Sequence, residues 1–143
     1  MTFEDGKYYL SWHDVTKKCK EIAKEIKEQF DVNELQLYGI ARGGLIPATI
    51  ISHILGIRLK MLDVYSYKNQ SQGNIVNNSP IMIDSTKPTV LIDDIYDTGN
   101  TYLYLSKNYL FDKFYTIIDK REKEFNNDNW YVFPWEDLKC NMH

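Results

Sequence analysis

The sequence predicts a single α/β domain, and three observations carry that expectation. Short apolar runs rich in β-branched residues, V-L-I at 90–92 and F-Y-T-I-I at 114–118, are too brief for helices and read as buried strands. Between Trp12 and Phe30, Trp12, Val15, Cys19, Ile22, Ala23, Ile26 and Phe30 recur at steps of three and four, with lysines and glutamates filling the other face, which is the stripe of an amphipathic helix. Twice, a strand leads through a small polar or glycine loop directly into a helix. A length of 143 residues with 43% apolar composition suffices for one real core, and no repeat or linker divides residues 1–143.

Taken in order, residues 7–10 read as a short strand. Ser11 followed by Asp14 then forms a helix-entry cap, and the helix runs to about Gln29. Residues 35–40 form the next strand and lead into Ala41, Arg42, Gly43 and Gly44. A mostly apolar helix follows over 45–55, with Pro47 in its first turn and Gly56 at its end. Residues 58–67 alternate as a strand, whereas 68–80, K-N-Q-S-Q-G-N-I-V-N-N-S-P, are polar with almost no apolar anchor and read as a mobile loop. Residues 81–83 are read as a further short strand and 86–88 as a turn. The central strand ends on Asp93 and Asp94, a loop of Asp97, Thr98, Gly99, Asn100 and Thr101 follows, and a helix spans 102–109. The strand at 114–118 ends in Asp119 and Lys120, residues 121–129 read as a polar connection, and the aromatic stretch W-Y-V-F-P-W-E-D occupies 130–137.

Charge and cysteines narrow the classes. A net charge of −3 supplies no general basic field, so nucleic acid is not an expected partner, while a small anion held by a local site stays compatible. Cys19 and Cys140 lie far apart and form no ligand motif with His13, His53 or His143, which points away from a zinc site or a disulfide scaffold and toward a reducing compartment. With neither an apolar leader nor a membrane-spanning run, a cytoplasmic protein is expected.

The chemistry concentrates at the end of the central strand. Backbone N–H groups at a helix start sit at the positive end of the macrodipole, so the loop at 97–101 can hold a phosphate without a lysine, and Gly99 lets backbone come close to it. Acidic side chains beside such a phosphate make sense when the ligand also carries hydroxyls or a divalent metal. An aspartyl-phosphatase site would need two aspartates separated by one residue, whereas Asp94 and Asp97 are separated by two. The stretch D-D-I-Y-D-T-G-N-T, preceded by its apolar run, resembles the phosphoribosyl-pyrophosphate (PRPP) signature of the type I phosphoribosyltransferases, and within them the chain is most similar to the bacterial xanthine-guanine (6-oxopurine) enzymes.

That resemblance implies a mostly parallel sheet flanked by helices, a flexible lid and a small C-terminal hood. It assigns Asp93 and Asp94 to the ribose hydroxyls, with Asp93 as a Mg²⁺ ligand directly or through water, and Asp97 as the catalytic acid/base. Thr98, Gly99, Asn100 and Thr101 would hold the 5′-phosphate. Arg42 and Gly43 would form the pyrophosphate loop, with a non-proline cis peptide expected at Ala41–Arg42, where relatives commonly carry serine in place of Ala41. Lys120 would hydrogen-bond the exocyclic oxygen of the base; a lysine only donates, which favours a 6-oxo over a 6-amino purine. Trp130 would stack on the purine, and the backbone of Tyr131 would meet its edge. The lid would lie at 68–80, where relatives tend to have an arginine and this chain has none between Arg58 and Arg121, leaving Lys68 as the substitute. The implied substrates are PRPP and a purine base (guanine, xanthine or hypoxanthine), and the implied assembly is a homo-oligomer, dimer or tetramer. A PRPP-binding regulator without transfer activity, or a transferase for another base, would share the phosphate loop.

Overall fold

A computed structural model describes residues 1–67, 74–77 and 83–138; for 65–67 and 74–77 only the backbone path is considered. The chain begins with a hairpin, β1 (Thr2–Glu4) and β2 (Lys7–Tyr9), and enters α1 (Trp12–Gln29) through a complete capping box. There Ser11 Oγ accepts from the Asp14 N–H at 3.0 Å, and the Asp14 carboxylate accepts from the Ser11 N–H at 2.8 Å. The expected stripe is buried at Val15, Cys19, Ile22, Ala23 and Ile26. Trp12 departs from it: as the first helical residue it is exposed and lies against Trp135, ring centroids 5.9 Å apart.

The main sheet has five strands in the order β5, β4, β3, β6, β7. Strands β3 (Gln36–Ala41), β4 (Leu59–Tyr67), β6 (Thr89–Tyr96) and β7 (Lys113–Asp119) run parallel, and β5 (Asn74–Asn77) pairs antiparallel with β4. Helices α1 and α2 (Leu45–Leu55) cover one face over a core that includes Ile26, Leu37, Ile51, Val90, Ile92 and Ile118. Helix α3 (Asn100–Asn108) lies on the other face, its Leu105 packed in a core with Tyr38, Ile40, Leu62 and Leu91. A second small sheet forms when β8 (Trp130–Val132) pairs parallel to β2. This is the hood at one end of the molecule, packed through Tyr8 and Tyr131, whose stacked rings lie 5.3 Å apart.

Four expectations are corrected. The central strand continues through Asp93 and Asp94 to Tyr96, because β7 offers further pairing, Ile95 to Ile118 and Tyr96 to Asp119. Helix α3 starts at Asn100, two residues early, since Gly99 in the left-handed region (φ 87°) turns the chain and its carbonyl accepts the Leu103 N–H at 2.9 Å. The polar stretch is not all loop, for Asn74–Asn77 adds an edge strand by backbone pairing, which needs little apolar burial. Ile83 is not in a strand but packs against the α3-side core; Ile81 and Met82, like Lys68 and the rest of the expected lid at 69–73 and 78–80, lie outside the described residues.

Candidate functional site

Strand order decides where the site sits. After β3 the chain moves to β4 on one side, whereas β6 lies on the other, so the carboxyl ends of β3 and β6 flank a topological switch point where a crevice opens. The loops that follow β3, β6 and β7 all emerge at that end because these strands are parallel. The β3–α2 loop carries Arg42, Gly43 and Gly44, and its Ala41–Arg42 peptide is cis, as expected. Arg42 is exposed, and Gly43 nests directly against the Asp94 carboxylate, so that a side chain at position 43 would overlap it. Glycine here lets the two loops touch.

Asp93, Asp94, Asp97, Thr98, Gly99, Asn100 and Thr101 line one pocket of about 160 Å³. Asp93 is 8% exposed and accepts from the Asp94 N–H at 2.8 Å; Asp94 in turn accepts from the Ile95 N–H at 2.8 Å. Burial, then the neighbouring Asp94 charge, pushes the Asp93 carboxyl well above the usual carboxylate range. Two neighbouring carboxylates, one of them buried, suit a hard divalent cation, which would favour the ionised form of Asp93. At the far end of the pocket the N-terminus of α3 directs its first amides toward the loop, and Thr98 Oγ1 accepts from the Asn100 N–H at 3.3 Å.

A neighbouring cleft of about 290 Å³ shares Asp94 and Asp97 with the first pocket and adds Lys120, Trp130 and Tyr131. Lys120, 16% exposed at its side chain, is held by its N–H to the Tyr96 carbonyl (2.9 Å), and its ammonium sits 3.2 Å from Asp97 Oδ1. Trp130 is 67% exposed at the cleft, while its neighbour Tyr131 is buried with its hydroxyl donating to Asn127 Oδ1 at 3.3 Å. The structure therefore brings the described residues singled out from the sequence to one end of the sheet; Arg42 and Gly43 line neither pocket, and Lys68 lies outside the described residues.

A model of the phosphoribosyl transferase domain matches residues 5–137. The chain belongs to the phosphoribosyltransferase family. These proteins are enzymes of the glycosyltransferase class. Among curated relatives, the xanthine-guanine phosphoribosyltransferase of Idiomarina loihiensis is 25% identical, the match covering 90% of this chain and 86% of that protein. That of Chromohalobacter salexigens is 29% identical, covering 90% and 83%. Among solved structures, the purine phosphoribosyltransferase of Pyrococcus horikoshii OT3 superposes with a TM-score of 0.71 at 29% identity, covering 96% of this chain and 99% of that one. The phosphoribosyltransferase fold with its parallel central sheet is thus the one expected.

Sequence reasoning missed two features in the segment read as a mere connection. Arg121 clasps the Asp119 carboxylate, Nη2 to Oδ2 at 2.8 Å, and lays its guanidinium 3.9 Å from the Tyr96 ring centroid. Tyr96 lines the first pocket and its hydroxyl crowds the open side of Gly99, so Arg121 braces the loop at 97–101 through Tyr96. Asp128 and Asn129 meanwhile line the second cleft. Neither role has a local signature, because each depends on the turn that returns the chain from β7 to the hood. Among the described residues no helix is long and apolar enough to cross a membrane.

Proposed function

We propose that this phosphoribosyltransferase moves the 5-phosphoribosyl group of PRPP to a 6-oxopurine, giving the nucleoside monophosphate and pyrophosphate in purine salvage. The observation that carries the reading is the adjacency of the two pockets through Asp94 and Asp97: one is lined by carboxylates and a helix start, which suits a sugar phosphate, the other by Lys120 and Trp130, which suits a planar base. The names of the relatives point the same way.

In this reading Thr98, Gly99, Asn100 and Thr101 hold the 5′-phosphate with hydroxyls and helix-start amides, fixing carbon 1 of the sugar at attacking distance from the base. Asp93 and Asp94 take the ribose hydroxyls, and Asp93, with Asp94 beside it, is the protein's contribution to holding Mg²⁺. When bound, that ion neutralises charge on the departing pyrophosphate. Arg42 and the backbone of Gly43 receive the same anion from the other side. The ring nitrogen lone pair forms the new bond to carbon 1 as the carbon–oxygen bond to pyrophosphate breaks, its electrons leaving with the pyrophosphate oxygen. Positive charge that develops on the sugar is stabilised by the carboxylates, and the nitrogen's proton passes to Asp97. Lys120 donates to the 6-oxygen and Trp130 stacks on the ring. The Lys120–Asp97 ion pair places the group that recognises the base beside the group that receives its proton.

The setting is a cytoplasmic enzyme acting as a homo-oligomer. Incubation with PRPP, Mg²⁺ and each purine, followed by pyrophosphate release, tests the proposal. Release with a 6-oxopurine and none with adenine is expected. PRPP binding without release for any base would make the chain a PRPP-binding module instead.

A further inference from the structure

Resting on that reading, we infer that the base cleft selects guanine over xanthine, and that Asp128 and Glu136 are the residues that do so. The cleft is acidic out of proportion to its task. Its charged lining consists of Asp94 and Asp97 from the end of β6, Lys120 from the end of β7, Asp128 from the turn before β8, and Glu136 after it. Lys120 is already matched by Asp97 at 3.2 Å. Among the described residues that leaves three carboxylates with no cation lining the cleft beside them: Asp94, which the sugar side engages, and Asp128 and Glu136, which are left to the base.

Two of those carboxylates belong to the hood. Glu136 is exposed but anchored there, its Oε1 accepting from the Phe133 N–H at 3.0 Å, which fixes the carboxylate where it lines the cleft. Asp128 is the central residue of a turn closed by the Asn129 N–H donating to Asn127 Oδ1 at 2.9 Å, and the Asn127 amide donates to the Tyr131 hydroxyl at 3.0 Å, so the segment bearing Asp128 is tied to a residue that lines the cleft.

The three 6-oxopurines differ at carbon 2. With the 6-oxygen on Lys120 and the five-membered ring turned to the sugar, a purine presents N1 and its 2-substituent to the remaining wall, which the hood supplies. Guanine carries an amino group there, and its N1–H and 2-amino group donate to carboxylates. Hypoxanthine carries only hydrogen at carbon 2. Xanthine carries an oxygen, which accepts and does not donate, and it sheds a ring proton near neutral pH to become an anion. Against these carboxylates it meets both an acceptor facing an acceptor and like-charge repulsion. A cleft that paired a cation with this edge would tolerate xanthine; this one opposes it.

The test is kcat/KM for guanine, hypoxanthine and xanthine at saturating PRPP and Mg²⁺, at pH 6.0 and pH 8.0, in the wild type, Asp128→Asn, Glu136→Gln and the double variant. Expected is a preference for guanine over xanthine of at least about tenfold at pH 8.0, narrowing at pH 6.0 where xanthine is neutral. The substitutions should narrow it at pH 8.0 chiefly by improving xanthine, while the KM for PRPP stays the same. Guanine and xanthine used equally at both pH values, or a preference unmoved by the double variant, overturns the inference and leaves 6-oxopurine transfer standing. Failure of all three bases overturns both. Circular dichroism melts of the variants distinguish lost folding from altered selectivity, and Glu136→Asp, which retains the charge, is expected to keep the preference for guanine.

Discussion

The two halves of the cleft are built in opposite ways. The half proposed for the sugar phosphate is nearly one continuous stretch, Asp93 to Tyr102 with Phe114 beside it, in which a strand end, a left-handed glycine and a helix start present backbone amides and carboxylates together. The half proposed for the base is gathered from the end of β6 and the loop after it, the end of β7, the turn before β8, β8 itself and the segment after it. A phosphate can be held by local backbone geometry, since amides at a helix start point outward whatever the side chains are. A planar base needs a stacking face, an edge donor and walls on several sides, and no short segment of chain can surround it.

Substitutions can break that division of labour. The largest effect is expected for Asp97→Asn, which removes the proposed proton acceptor, a residue lining both halves, while keeping its shape. Turnover should fall by about 10²–10⁴-fold with little change in PRPP affinity by calorimetry; wild-type turnover would remove Asp97 from the chemistry. Next comes Lys120→Met, which should raise the KM for the base by about 10–100-fold and leave that for PRPP nearly unchanged, the loss of one charged hydrogen bond. An equal loss on both substrates, in steady-state assays varying each in turn, would mean that Lys120 acts through the fold.

The phosphate half should respond in stability instead. Gly99→Ala places a Cβ on a residue at φ 87°, against the Tyr96 hydroxyl, and is expected to cost about 1–2 kcal/mol in urea unfolding while weakening PRPP binding. An unchanged midpoint would show that the turn tolerates another conformation. The smallest effect concerns the brace behind the loop. Burial alone would raise the Asp119 carboxyl, but hydrogen bonds from Arg121 hold it below the ordinary carboxylate value. A depressed folded-state pKa contributes stability that is present above the unfolded value and lost as pH falls through the folded one. Arg121→Gln should therefore lower the melting temperature slightly at pH 7, with the gap to wild type closing as pH drops below the carboxylate range. A gap that is constant with pH would assign the effect to lost stacking on Tyr96 instead.

Legibility followed the same line. The helices α1 and α2 were readable from periodicity and caps, because both signals are local: Ser11 and Asp14 meet across three residues, and the buried stripe repeats within one helix. The length of β6 was not, since its continuation past Asp93 and Asp94 depends on pairing with β7, about twenty residues downstream. Strand β5 went unseen because an edge strand such as N-I-V-N needs little more than a neighbouring backbone to pair with. Arg121 and Asp128 looked like solvated charges because what they face is set by the path of the chain from β7 to the hood.

By itself, then, the order of residues determined the strand-loop-helix unit, its acids and its small polar loop, since their geometry follows from contacts a few residues apart. It also marked Lys120 and Trp130 as residues to watch. Only the tertiary structure decided that Gly43 lies on Asp94, that Lys120 pairs with Asp97, that Arg121 stacks under Tyr96, and that two hood carboxylates join the base cleft. Each of these contacts spans elements whose meeting is governed by strand order and by closure of the hood on the sheet, and no local propensity encodes where a distant side chain will arrive.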